Sequence, residues 1–285
     1  MTRRAGQSAM AQEIGETPAA AERLLASNEA LSHAAERIRG FAPRVAVVCG
    51  RGSSGHVGVY LRYLIEARLG LLVSATAPSV MTAYARKPDM GEGLFIVVSQ
   101  SGRSPDLVAP TKIARSLGAL TLAIVNEEKS PVASESELVL PIYAGPELAV
   151  AATKTVILSM IAGAQLIAML TQDTVLCEAV GRLPARLHRA LACEWSAWSD
   201  SLVAAPAGFV TGRGYGLGSA REIALKLTET LRIPALGYSA AELRHGPRAA
   251  ISRTTPVLAL RQNDEAALAV EDLVRDLRQS NESVF

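Results

Sequence analysis

Val47-Val48-Cys49-Gly50-Arg51-Gly52-Ser53-Ser54-Gly55 and Val210-Thr211-Gly212-Arg213-Gly214-Tyr215-Gly216-Leu217-Gly218 are two versions of one pattern. In each, a run of strand-forming residues ends in Gly-Arg-Gly and a helical pattern follows. Glycine has no Cβ, so the backbone can come close to a neighbour or a ligand there. A helix that opens directly on such a turn favours an anion at its N-terminus. The recurrence predicts two related α/β halves, the second markedly shorter than the first.

Outward from the first copy, apolar runs at 44–49, 71–75, 94–98, 120–125 and 137–141 alternate with helical patterns at 56–69, 105–117 and 131–134. Continuous apolar runs suit parallel strands buried on both faces. Strands separated by helices build a doubly wound α/β domain. A leading helix is expected over 18–39, with Pro18 in its first turn, where its missing N–H is tolerated. After Ala149 the pattern turns helical, over 151–171, 175–190 and 194–204. Strand residues return at 208–211, followed by a helix over 217–232, a strand over 255–260 and a helix over 265–279. Ser283-Val284-Phe285 reads as the first step of another strand. The expected organisation is a helical lead-in at 1–39 and a first flavodoxin-like, three-layer αβα domain at 40–172. A helical linker at 173–204 and a second such domain at 205–285, incomplete at its C-terminus, would follow.

The chain has 285 residues, of which 49% are hydrophobic and 20% charged, enough apolar material for a packed core. A net charge of +2 provides no concentrated basic face, so no nucleic-acid partner is expected. Aromatics at 4% argue against base-stacking platforms. Cys49, Cys177 and Cys193 form no C-x-x-C pair, and their odd number makes a poor disulfide framework. A reducing, cytoplasmic setting is the natural reading. The polar stretch 1–12 has no secretory signal. Residues 155–172 carry no charge and approach the length of a membrane span. With Ser159, Gly163 and Gln165 among them, they are read as a helix buried inside the protein, with no membrane association.

Four stretches hold chemistry-bearing side chains. Gly50, Gly52 and Gly55 have the spacing of a dinucleotide-binding turn. The following strand, however, leads into Thr76-Ala77-Pro78-Ser79, with no acidic residue to hold a ribose. Ser99-Gln100-Ser101-Gly102-Arg103-Ser104-Pro105-Asp106 places three hydroxyls and an amide on one strand-to-helix turn. That density suits the oxygens of a phosphate monoester, while Ser104 and Pro105 also read as an ordinary helix start. Glu222, Lys226 and Glu229 share one helical face. An exposed salt-bridged stripe is the common meaning of such spacing, yet this helix opens at the second glycine-rich turn. His245, in Glu242-Leu243-Arg244-His245-Gly246-Pro247, can exchange a proton near neutral pH and sits in a segment with no clear period.

Taken together these stretches resemble the sugar isomerase (SIS) domain family. The likeness is to the isomerase half of glucosamine-6-phosphate synthase and to short two-domain proteins acting on amino-sugar phosphates. It is carried by residues 10–18, by Ser99–Gly102, by Val150-Ala151-Ala152-Thr153-Lys154, by Ala224-Leu225-Lys226-Leu227-Thr228-Glu229 and by residues 242–247, and so spans nearly the whole chain. The resemblance implies that Ser99, Gln100, Ser101 and Ser104 bind phosphate and that Gly52, Ser53 and Ser54 contact the sugar. Val150 and Ala152 would contact it through their backbone. Glu229 would shuttle a proton between C1 and C2, with Glu222 and Lys226 beside it. His245 would open the sugar ring and reach the site of a partner subunit, which implies a homodimer with shared active sites. No metal or cofactor is implied, only a small-molecule sugar phosphate. No glutamine-hydrolysing segment precedes these motifs, which favours deamination of an amino-sugar 6-phosphate to a ketose phosphate and ammonia, or isomerisation alone. No lysine follows Lys226, so the family's C-terminal lysine has no counterpart. Deglycation of a sugar-phosphate adduct, and sugar-phosphate binding without catalysis, remain the alternatives.

Overall fold

The structure, a computed structural model, describes residues 8–285; the start of the lead-in lies outside the described residues. The chain divides into two compact units, and the boundary between Ala192 and Cys193 falls inside the 173–204 stretch.

The first unit opens with α1 (Ala9–Leu25) and α2 (Glu29–Phe41). The single helix expected over 18–39 is thus two helices, and Pro18 lies inside α1 rather than in a first turn. The apolar face of α1 continues through Pro18, whereas Ser27 and Asn28 compete for backbone groups and interrupt the helix. The Ser27 hydroxyl donates to the Arg23 carbonyl at the break.

There follow β1 (Val45–Cys49), α3 (Ser53–Leu69), β2 (Val73–Ala75), α4 (Pro78–Thr82), β3 (Gly93–Ser99), α5 (Pro105–Ser116), β4 (Leu120–Val125), α6 (Pro131–Glu135) and β5 (Leu138–Pro141). All five strands are parallel, in the order β2-β1-β3-β4-β5. Every residue of β3 and β4 is buried, which is why those runs are apolar without alternation. Phe95 and Val97 face Leu107 of α5 and Val132 of α6. Leu94 and Ile96 face Leu61 and Ile65 of α3 and Ile167 of α7 (Lys154–Thr171). The charge-free stretch is therefore the buried helix α7, packed on α1, α2 and α3. The expected helix over 175–190 is split into α8 (Thr174–Gly181) and α9 (Leu183–Leu191), with Pro184 in the first turn of α9.

The second unit contains α10 (Ser196–Leu202), β6 (Gly208–Gly212), α11 (Gly216–Leu231), β7 (Ala235–Ser239), α12 (Ala240–His245), β8 (Val257–Ala259) and α13 (Ala267–Gln279). Its parallel sheet runs β7-β6-β8, and Val284 adds a parallel bridge to Val257, the strand step expected at 283–285. α12 and α13 cover the Phe209 and Val257 face, and α10 and α11 cover the Val210 and Leu258 face.

The sequence repeat is a repeat in space. A Cβ on Gly50 would lie 2.6 Å from the Ser54 carbonyl oxygen, and one on Gly212 would lie 2.8 Å from that of Gly216. Gly52 and Gly214 both adopt the left-handed conformation, at φ 51° and 58°. The strand order β7-β6-β8 also repeats β2-β1-β3.

Candidate functional site: an anion crevice at the switch point of the first sheet

In the first sheet the strand order reverses at β1. From its end the chain passes through α3 on one face, and from the end of β3 through α5 on the other. Ligands of open α/β sheets bind in the crevice beyond the strand carboxyl ends at such a point. Cys49 is the last residue of β1 paired with β3, opposite Val97. The two turns that hold the predicted binding residues, 50–54 and 99–104, therefore emerge side by side. Two helix N-termini open there, each contributing a partial positive charge.

The β3 turn is fixed from beneath. Ser99 is 5% exposed, and its Oγ accepts a hydrogen bond from the Gly102 N–H at 3.0 Å. Its first task is to shape the turn. Gly102 has φ 61°, and a Cβ there would lie 2.0 Å from Ser130 Oγ. The Val132 N–H donates to the Gly102 carbonyl, and the Asn126 N–H donates to that of Gln100. The Gln100 and Ser101 side chains are partly exposed, and Ser101 Oγ accepts from the Arg103 N–H at 3.4 Å. Ser104 occupies the N-cap of α5, but its hydroxyl makes no capping bond. On the neighbouring turn Ser53 and Ser54 begin α3, and Gly52 is exposed. Arg51 and Asp106 connect the two turns across the mouth, with Arg51 Nη2 3.8 Å from Asp106 Oδ2. Cys49 forms the floor; burial foremost, aided by Asp106 and opposed by Arg51, pushes its thiol up to about 12. Such a thiol is no nucleophile at neutral pH.

Val150 and Ala152 lie in the segment that follows β5, at the same end of the sheet. Val150 is fully exposed, yet its segment is held firmly. Glu13, 5% exposed, accepts from the Leu148 and Ala149 N–H groups. Glu147 accepts from the backbone N–H and hydroxyl of both Thr153 and Thr155. Lys154, 1% exposed, pairs with Glu16 at 2.5 Å. The Asn126 side chain donates to the Gly145 carbonyl and accepts from the Ala144 N–H. Sequence reasoning gave none of Glu13, Glu16, Asn126 and Glu147 a role. Glu13 and Glu16 lie in the stretch 10–18 that carries the resemblance, while Asn126 and Glu147 lie outside every stretch singled out, and only tertiary contact brings all four to the segment around residues 144–155.

The remaining predicted residues belong to the second unit. Glu222, Lys226 and Glu229 project from α11, with Lys226 Nζ 3.2 Å from Glu222 Oε1 and 2.5 Å from Glu229 Oε2. This is not a solvated stripe, since Glu222 is 9% exposed and the Lys226 side chain 15%. Glu229 is the exposed end of the set. His245 is exposed and ends α12, a short helix fixed by a capping box between Ser239 and Glu242. Among the described residues no group of His, Cys, Asp or Glu side chains could hold a metal ion.

The SIS domain family model matches residues 42–169 and 202–284, one stretch on each copy of the turn. The chain belongs to the SIS domain family. Its crevice turns and β1–β5 lie in the first SIS match, and β6–β8 with α11 lie in the second. Of the solved structures, a protein from Silicibacter pomeroyi DSS-3 described as a candidate phosphosugar isomerase is 38% identical, with a TM-score of 0.94 over 98% of this chain and 86% of that one. The C-terminal domain of a glucosamine-fructose-6-phosphate aminotransferase from Francisella tularensis shares the fold at 22% identity and a TM-score of 0.80, over 100% of this chain and 84% of that one. Of the curated proteins, an isomerizing glutamine–fructose-6-phosphate aminotransferase of Symbiobacterium thermophilum is 34% identical over 245 residues, 82% of this chain and 40% of that protein. The chain spans less than half the length of the curated relatives it matches.

Proposed function

We propose that this SIS protein binds a sugar phosphate and interconverts its aldose and ketose forms, with an amino-sugar 6-phosphate as substrate and ammonia as product. What supports the binding half is that two helix N-termini, with Ser53 and Ser54 on one turn and Ser101 and Ser104 on the other, stand together at the carboxyl end of the β1/β3 switch point, a setting that suits a phosphate. The 38% identical relative and the isomerizing relatives support the reaction class.

His245 assists ring opening of glucosamine 6-phosphate to the free aldehyde. Glu229 removes the C2 proton, giving an enolamine across C1 and C2, and returns the proton to C1. One carboxylate serves both carbons because they are adjacent. The product is an imine at C2, and water hydrolyses it to fructose 6-phosphate and ammonia. Glu222 and Lys226 fix the position of Glu229. Two subunits sharing their sites, as the family resemblance implies, would form a homodimer.

The test is to incubate the protein with glucosamine 6-phosphate and assay ammonia and fructose 6-phosphate. Turnover is expected, with Glu229→Gln losing at least about 100-fold in kcat while sugar-phosphate affinity is kept, the usual worth of a general base. Unchanged turnover in Glu229→Gln would remove it as the base. Binding without any turnover would leave a sugar-phosphate-binding protein in place of an enzyme.

A further inference from the structure

We propose that Arg51 is an anion-binding residue of the crevice, parked on Asp106 when no ligand is present and transferred from that carboxylate to the phosphate when one binds. The proposal rests on the reading of the crevice as a phosphate site.

Three observations carry it. First, Arg51 belongs to the β1 turn and Asp106 to the second position of α5, so the pair spans the mouth between the two turns. Any anion drawn to the N-termini of α3 and α5 comes within reach of that guanidinium. Second, the pair is loose. Its N···O separation is 3.8 Å, and the side chains are 54% and 68% exposed. An exposed pair of that geometry contributes little, whereas a guanidinium binds a phosphate with two short, parallel, charge-assisted bonds. Third, the backbone under Arg51 is fixed. Gly50 touches the α3 backbone and Gly52 is left-handed, so exchange is confined to the side chain.

Asp106 has a sign of its own. Its carboxylate satisfies the positive end of α5 and occupies the partner that the ligand needs. It is therefore a competitor of the phosphate, and removing its charge should help binding. The second unit supplies an internal control. Arg213 stands at the same point of the repeated turn, but there the Gln262 amide lies against the start of α11, with its Nε2 2.7 Å from where a Gly216 Cβ would be. The Gln262 side chain therefore occupies the space beside the first turn of α11.

The experiment is titration calorimetry of the full chain with inorganic phosphate at low salt, with melting temperatures measured in parallel. Arg51→Gln should weaken binding by about 10- to 100-fold, the worth of a charge-assisted hydrogen bond. Arg51→Lys, which keeps the charge but loses the fork, should fall between Arg51→Gln and the wild type. Asp106→Asn should tighten binding by about 2- to 5-fold, the worth of an exposed ion pair. Arg213→Gln should change nothing. Opposite signs for the Arg51 and Asp106 variants, with both still folded at the titration temperature, are the result that a merely structural ion pair would not give. Phosphate binding by the wild type with Arg51→Gln unaffected, or weakened binding in Asp106→Asn, would overturn the exchange while leaving the phosphate site. Absence of phosphate binding by the wild type would overturn the site itself.

Discussion

At the scale of single residues, the crevice depends on groups whose chemistry is set by what lies beneath them. Cys49 ends β1 with no exposed surface, and its thiol is raised to about 12 because burial disfavours the thiolate. Cys177 and Cys193 are exposed. A thiol reagent at pH 7.5 should therefore label Cys177 and Cys193 in the folded protein and Cys49 only after denaturation, as read by mass spectrometry. Rapid labelling of Cys49 in the native state would contradict its burial. Gly102 is the other decisive position. A methyl group there would collide with Ser130, and the left-handed backbone would also be strained. Gly102→Ala should cost about 1–3 kcal/mol in stability and should weaken phosphate binding more than ten-fold, because the Ser99–Ser104 turn can no longer close over its own N–H groups. That glycine could be read from the sequence as part of a turn. What it avoids, the Ser130 side chain, could not.

Between elements, the informative contact is that of α1 with the segment leading into α7. Lys154 is buried and Glu16 is its partner, and the hydrogen bond from Lys154 is the largest cause holding the Glu16 carboxyl below its ordinary value of 4.5. A carboxyl depressed in the folded state adds stability that is complete above its unfolded value and is lost as the pH falls through the folded one. The melting temperature of the wild type should thus drop more steeply below about pH 4.5 than that of Glu16→Ala. At neutral pH Glu16→Ala should cost on the order of 3 kcal/mol, because it strands a buried ammonium, and adding Lys154→Met should recover most of that loss. A double variant no more stable than Glu16→Ala alone would show that the pair does not act as a unit. The apolar stretch that becomes α7 was visible in the chain, but the helix that carries Glu16 was not, because the expected helix began only at Pro18. Nor was the meeting of Lys154 with Glu16, since charge pairing between residues 138 apart leaves no periodic mark.

For the whole molecule, the repeated turn allows one substitution to be compared in two settings. Gly50→Ala and Gly212→Ala meet the same obstacle, a helix carbonyl within 3 Å of the new methyl group, and neither can be relieved by a side-chain rotation. Both should destabilise the protein by about 1–3 kcal/mol. Only Gly50→Ala should also abolish phosphate binding, measured by calorimetry at a temperature where both variants are folded. Equal loss of binding in the two variants would mean that the second turn takes part in the site.

The sequence by itself determined the class of fold, because strands buried on both faces must be apolar throughout and the helices between them must be amphipathic. It also determined the repeat, because Gly-Arg-Gly stands between a strand pattern and a helical pattern in both halves, and it exposed the serine-rich turn. It did not determine β7, whose Ala-Leu-Gly-Tyr-Ser run is short, half-buried and interrupted by Gly237. Nor did it give the break between α1 and α2, where the proline is tolerated and polar residues decide. Only the tertiary structure could place Arg51 opposite Asp106 and sink Lys154 against Glu16. Those pairings follow from strand order and helix packing, which bring distant residues together by shape, and a local pattern carries no record of which neighbour the fold will supply.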